Sequence, residues 1–257
     1  MILAIDVGNT NIVLGVWADE MLCFVSRLKT DRQKTEDGYA VELKNILGLY
    51  KIDLERIDGA IISSVVPQIS GALVSAVDKL TGRAAFLVGP GIKTGLNILI
   101  DNPAQLGSDM VVEAVAAIVK YHKPVIIIDL GTATKISAVD KSGNFLGCAI
   151  MPGIRIGLDA LSERTAALPQ IGLDAPREAI GRNTVDSMKS GAVLGTASMI
   201  DGMIERFEQQ LGQTATVVAT GGFSGDIVPY CTRSVIHDPN LMLEGLYRVY
   251  LKNQLTG

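Results

Sequence analysis

Two stretches of this chain could face phosphate. Residues 5–16 read IDVGNTNIVLGV and residues 128–139 read IDLGTATKISAV. In both, an apolar run ends on Ile-Asp-x-Gly, and hydroxyl or amide residues follow. A glycine at that place lets backbone N–H groups approach an oxyanion with no Cβ in the way. Asn9, Thr10, Asn11, Thr132 and Thr134 add side-chain donors. Carboxylates repel phosphate, so Asp6 and Asp129 make sense as ligands, direct or through water, of a cation that neutralises it. Lys135 stands beside the second hairpin's carboxylate. It is either a solvated lysine on a strand edge or a tethered point charge.

A single Asp-x-Gly is common in turns. Two at matching places predict a duplicated fold with two phosphate-facing hairpins and a nucleotide between two lobes. Thr220-Gly221-Gly222, after the apolar run ATVVAT (215–220), is a third glycine turn. Moving a phosphoryl group onto a hydroxyl also requires a base. Asp109 offers one near the start of a helical run; the alternative is an ordinary helix N-terminal acid interacting with the dipole.

The elements that must position these residues follow from periodicity and turn chemistry. Strands are predicted over 2–5, 12–17 and 21–28, then a helix from Thr35 to Tyr50 whose first turn carries Glu36 and Asp37. A buried strand (59–66), a helix (68–80) and a strand (84–89) complete the first half. The Gly/Pro-rich segment through GPGIKTGL and DNPAQLG is the best domain boundary, giving lobes over 1–100 and 101–257. The second half repeats the plan: helix 106–121, strands 124–128, 134–139 and 144–150, helix 184–211 with Met188, Ala192, Gly195 and Met199 on one stripe, strand 215–220 and helix 241–253. Alternating strands and helices make this an α/β protein.

Composition narrows the function classes. The 257 residues are 48% hydrophobic and 19% charged, which suits a globular chain with a sizeable core. Net charge is −4 and no Lys/Arg run exceeds two residues, which argues against nucleic-acid binding. Cys23, Cys148 and Cys231 lie far apart, so they read as reduced, small core residues rather than a disulfide or zinc framework. Apolar runs fall short of the roughly 20 residues of a membrane helix, and the start lacks a basic leader, so a soluble cytoplasmic protein is expected. His122 and His237 read as surface residues, Trp17 as a packing residue ending a strand.

Taken in order, the motifs resemble the type III pantothenate kinases, of the acetate kinase/Hsp70/hexokinase/actin superfamily. DVGNTNIVLG (6–15) resembles the first phosphate motif, and KTEDGYA, ISSVVP (62–67), VGPGIKTGLNI (88–98) and DNPAQLGSD (101–109) follow in family order. DLGTAT (129–134) resembles the second phosphate motif; GCAIMPGI (147–154) and GRNTVDSMKSGAVLG (181–195) resemble later segments, and ATGGFSGDI (219–227) the adenosine region. The resemblance implies a duplicated ribonuclease H-like (actin-like ATPase) fold, two mixed-sheet lobes with flanking helices. It also implies ATP-dependent phosphorylation of pantothenate to 4′-phosphopantothenate, the first step of coenzyme A synthesis. Asp6, Gly8, Asn9 and Thr10, with Asn11 in the same hairpin, would face ATP phosphates and Mg²⁺. Asp109 would be the general base, and Asp129 would hold a monovalent cation, K⁺ or NH₄⁺. Thr132 and the Gly221-Gly222 turn would contact ATP; Gly107, Ser108 and Thr184 would line the pantothenate site. A homodimer with the site near the subunit interface is implied as well.

Four positions depart from the family pattern. Ile100 stands where tyrosine usually precedes Asp-Asn-Pro, and Met110 where arginine usually follows Asp109's equivalent. Both absent side chains would bind pantothenate, the arginine through its carboxylate. Lys135 stands where the family usually has a threonine, and Ser137 where it often has an aspartate. Three readings follow: a pantothenate kinase, a kinase for another small alcohol, or a non-catalytic nucleotide-binding homologue. Retention of Asp6, Asp109 and Asp129 favours an enzyme. An ammonium at Lys135 in place of the cation near Asp129 predicts reduced K⁺ dependence.

Overall fold

The computed structural model describes residues 1–254. β1 (Ile2–Val7), β2 (Asn11–Ala18) and β3 (Met21–Lys29) form an antiparallel meander. After α1 (Glu36–Leu49), β4 (Gly59–Ser64) returns parallel to β1; α2 (Pro67–Thr81) leads to β5 (Ala85–Leu87), parallel to β4. The order is β3-β2-β1-β4-β5. β6 (Asn97–Ile98) and α3 (Ser108–Lys120) precede a second meander of β7 (Val125–Leu130), β8 (Ala133–Val139) and β9 (Asn144–Pro152). α4 (Ile154–Arg164) and α5 (Thr184–Leu211) lead to β10 (Thr216–Thr220), parallel to β7. Then come α6 (Ser224–Ile227), β11 (Ile236–His237) and α7 (Leu241–Gln254). The second sheet runs β11-β10-β7-β8-β9, with β6 added at the β9 edge. The two topologies are the same, so the duplication predicted from the Ile-Asp-x-Gly repeat is present as architecture.

Local chemistry explains the elements. All six residues of β7 (VIIIDL) are buried, as a β-branched run between two covered faces requires. Thr35 caps α1 by accepting from the Gly38 N–H, with Glu36 and Asp37 favourably placed in the first turn. Pro67 takes the first turn of α2, where its missing N–H costs nothing, and this ends the preceding strand at Ser64 rather than at the predicted residue 66.

The chain divides into two compact units. Unit 1 holds Met1–Gly95, Asn102–Ala116 and the chain from Met242 onward. Unit 2 holds Leu96–Asp101 and Ala117–Leu241. This grouping differs from the expected division at 100/101: the first part of α3 and nearly all of α7 go with the N-terminal sheet. The last three positions of the expected second lobe lie outside the described residues. In unit 1, Leu3, Ile5, Ile62 and neighbours pack on Tyr39, Leu43 and Leu47 of α1 and on Ile69, Leu73 and Val77 of α2. α7 approaches closely enough that a Cβ at Gly59 would meet Tyr250 Cζ at 2.7 Å, and one at Gly245 would meet the Val112 carbonyl carbon at 2.8 Å. Trp17 is buried in β2 and stacks on Tyr247 at 4.7 Å, the packing role predicted for it.

The structure departs from expectation in three further respects. α4, β6, α6 and β11 were not foreseen, since Gly153, Gly157 and four charged residues blur the α4 pattern and the two-residue strands carry no periodicity. The buried stripe of α5 is Met188, Val193, Ala197, Ile200 and Ile204, rotated from the predicted one; Gly195 is exposed. The cysteines correct the core reading: Cys23 and Cys148 are exposed, on an edge strand and on the open face of β9, and Cys231 is half-buried. Burial, and then the Asp201 charge, push the Cys231 thiol up to about 11, so it is a poor nucleophile. No described helix is long and apolar enough to cross a membrane.

Candidate active site

Asp6 and Asp129 occupy the same place in the two sheets, next to last in the central strand. Each lies in a parallel pair, Asp6 opposite Ser63 of β4 and Asp129 opposite Thr220 of β10. Both therefore stand at strand carboxyl ends, where open α/β sheets gather their ligands.

In unit 1 the turn after β1 is pinned from behind. Gly8 N–H donates to the Asn11 carbonyl at 3.0 Å, and Thr30 Oγ1 donates to the Gly8 carbonyl at 2.7 Å. Arg32 Nη2 holds Asn9 Oδ1 at 3.0 Å. The tip thus has a fixed backbone, with Asn9, Thr10 and Asn11 exposed on it.

The start of α3 is tied to the same strand ends. Ser63, fully buried, is 3.0 Å from Ser108 through their hydroxyl oxygens, and Ser108 Oγ also donates to the Ser64 carbonyl at 3.2 Å. Asp6 and Ser63 are register partners, so the two hydroxyls connect the strand beside Asp6 to Ser108, the residue before Asp109. Asp109 Oδ1 accepts from the Met110 N–H at 2.8 Å, and a Cβ at Gly107 would run into that oxygen. The carboxylate is thereby held over the helix start. Met110 is 7% exposed, an apolar side chain where the resemblance expects a guanidinium. Ser63 was not foreseen as a site residue; its signal was a pair of small hydroxyls closing an otherwise apolar strand.

Unit 2 builds the second hairpin around Asp129. Lys135 is its cross-strand partner, and Nζ lies 2.6 Å from Asp129 Oδ2, with only 13% and 12% of the two side chains exposed. The lysine is paired and mostly buried. Gly221 packs directly on the other side of the carboxylate: at φ +92°, a Cβ there would strike Asp129 Oδ1 and sit 2.6 Å from the Leu130 carbonyl carbon. Only glycine satisfies both demands. Gly153, also unforeseen, backs the turn itself, because a Cβ would fall 2.7 Å from the Thr132 carbonyl carbon. Thr132 and Gly222 are exposed on these turns. Ser224 Oγ donates to the Gly221 carbonyl at 2.7 Å and meets His237 Nε2 at 3.0 Å, so exposed His237 touches the glycine turn rather than standing alone.

Thr184 opens α5 after the Asn183 cap, exposed on a cavity of about 890 Å³ within unit 2. Its walls include Ile154, Leu158, Leu161 and Met188, with Arg182 and Ser187 supplying polar groups. Ile100 is half-buried in the short segment grouped with unit 2, whereas Gly107, Ser108, Asp109 and Met110 lie in unit 1.

Among the described residues no three His, Cys, Asp or Glu side chains cluster as a metal cage. One carboxylate beside a pinned glycine turn suits a hard divalent ion held mainly by phosphate oxygens and water. A monovalent cation on Asp129 fits poorly. Its carboxylate already neutralises the Lys135 ammonium, whose like charge would offset much of the attraction between that carboxylate and a second cation.

A protein-family model described as type III pantothenate kinase matches residues 2–206. The type III pantothenate kinase of Exiguobacterium sibiricum is 42% identical over 254 residues, covering 99% of this chain and 100% of that protein. The one from Moorella thermoacetica is 43% identical over 253 residues, 98% of this chain and 100% of its own length. The fold is similar to that of the activator of 2-hydroxyisocaproyl-CoA dehydratase from Clostridium difficile, solved with bound ADPNP: TM-score 0.56 at 11% identity, over 98% of this chain and 94% of the other. The fold is thus the actin-like, ribonuclease H-like one, and with the family model spanning most of the sequence, this chain belongs to the type III pantothenate kinase family.

Proposed function

We propose that this protein transfers the γ-phosphoryl group of ATP to the primary hydroxyl of pantothenate, with Asp109 as general base. One observation carries the reading beyond family membership: two serine hydroxyls tie the Asp109 helix start to the strand beside Asp6. Asp109 accepts the hydroxyl proton as the alcohol oxygen bonds to γ-phosphorus. The bond from γ-phosphorus to the β–γ bridging oxygen breaks, and ADP leaves. Gly8, Asn9, Thr10 and Asn11 orient the phosphates through backbone and side-chain donors, and Thr132, Gly221 and Gly222 are the proposed nucleotide contacts of the second hairpin. A divalent ion held near Asp6 would neutralise charge developing on the transferred group.

Ser108, Gly107 and Thr184 remain the proposed acceptor contacts, and the 890 Å³ cavity at Thr184, apolar with hydroxyl and amide groups and the Arg182 guanidinium, suits an amide-bearing alcohol. Exposed Ile150, Ile156, Leu161, Ile180 and Val185, all in unit 2, support self-association into the expected homodimer.

ADP release with MgATP and pantothenate tests the reaction. Absence of turnover across millimolar pantothenate, with ATP binding intact, overturns it. Met110 favours a second reading within the same chemistry, an acceptor lacking the carboxylate. A charge-assisted contact is worth about 1.5–3 kcal/mol, roughly 10- to 150-fold. With methionine there, kcat/KM for pantothenate and for its carboxylate-free alcohol analogue should differ by less than about tenfold. A preference above about 100-fold would mean another cation reads the carboxylate.

Ser63 acts as a positioning residue here. Ser63→Ala should lower kcat on the order of tenfold and leave KM for ATP unchanged, since small displacements of a base cost rate rather than binding. Ser63→Thr, which keeps the hydroxyl, should recover most of the loss. Equal effects on kcat and ATP affinity would reduce Ser63 to a packing role.

A further inference from the structure

The second hairpin carries a cation of its own. Lys135 Nζ contacts Asp129 Oδ2 at 2.6 Å, from the neighbouring strand and in direct register. The other carboxylate oxygen faces the Gly221 turn, where a Cβ would collide with it. One side of Asp129 therefore meets the ammonium and the other meets glycine backbone. An ion seated on Asp129 would have to share its oxygens with a charge that cannot diffuse away.

We infer that Lys135 is a built-in substitute for a monovalent cation at this hairpin, so that nucleotide binding and phosphoryl transfer proceed without added K⁺ or NH₄⁺. The inference rests on the reading of this hairpin as part of the nucleotide site. The ammonium supplies the same unit charge beside the same carboxylate, at a distance fixed by β-sheet register. Because it is covalently attached, its occupancy is complete at every salt concentration. The sequence signature is a single position: a lysine directly across the strand pair from the hairpin aspartate.

The experiment uses the full-length protein in a buffer whose only monovalent cation is tetramethylammonium, too large to seat on a single carboxylate. ADP release and ATP affinity by calorimetry are measured as KCl or NH₄Cl replaces the tetramethylammonium salt at constant ionic strength. The wild-type protein should show less than about a threefold change in either readout. Lys135→Thr should lose on the order of 10²-fold in turnover in the cation-free buffer and regain much of it with K⁺ or NH₄⁺. Lys135→Arg, which keeps the charge, should stay insensitive to K⁺, and it serves if the threonine variant fails to fold. A steep K⁺ requirement in the wild-type protein overturns the inference. So does a Lys135→Thr variant that remains active and indifferent to cations. ATP affinity needs no acceptor, so a wrong acceptor would silence ADP release and leave the binding arm able to decide.

Discussion

Asp109→Asn is expected to lower kcat on the order of 10³-fold while ATP affinity stays within about threefold of wild type. Asparagine has nearly the shape of aspartate and keeps an oxygen for the Met110 N–H, so the start of α3 should be preserved. What disappears is the capacity to take a proton. The competing role, an acid at a helix N-terminus, predicts something different: a stability loss of about 0.3–1 kcal/mol and little change in rate. Single-turnover formation of the phosphorylated product, beside a thermal melt, separates the two. A variant that melts slightly earlier yet turns over normally would remove Asp109 from the chemistry.

The second large effect concerns stability. Asp129→Ala leaves the Lys135 ammonium mostly buried with its carboxylate gone, and breaking such a pair from one side costs about 3–5 kcal/mol. For a chain of this size that lowers the melting temperature by roughly 6–20 °C. Removing both charges, as Asp129→Ala with Lys135→Met, should recover most of the loss, because the penalty lies in the orphaned charge. Differential scanning calorimetry of the two variants checks this. A single-mutant loss under about 1 kcal/mol would show that the pair is solvated and contributes as a surface ion pair does.

The legible part of this fold was what repeats. Ile-Asp-x-Gly occurs twice because each sheet ends its central strand the same way, and β7 announced its burial through four consecutive β-branched residues. The long α5 and the capped α1 were readable from period and cap chemistry. Partnership across the chain was not. Lys135 could be named as the residue to question, but whether it reached Asp129 depended on β7–β8 register, which the three residues between Leu130 and Thr134 fix and composition does not reveal. Ser63 escaped because a buried serine looks like any small core residue until its partner, 45 positions away, is known. Gly153 escaped because close backbone approach leaves no mark except the absence of a side chain. The cysteines misled for the opposite reason: average burial preferences say nothing about edge strands or open sheet faces.

The composition of unit 1 also bears on how the molecule is made. Its N-terminal sheet depends on α7 for Tyr247 against Trp17 and Tyr250 against Gly59, partners about 190 to 230 residues away in sequence. A nascent chain leaves the ribosome N-terminus first, at roughly 5–20 residues per second. Sheet β1–β5 therefore emerges early and waits for these two aromatic partners until the last helix is translated. Unit 2, whose sheet lies within one continuous stretch apart from β6, can close before synthesis ends. The order of completion is the reverse of the order of synthesis, and a chain stopped just short of α7 would carry a finished second unit on an open first one.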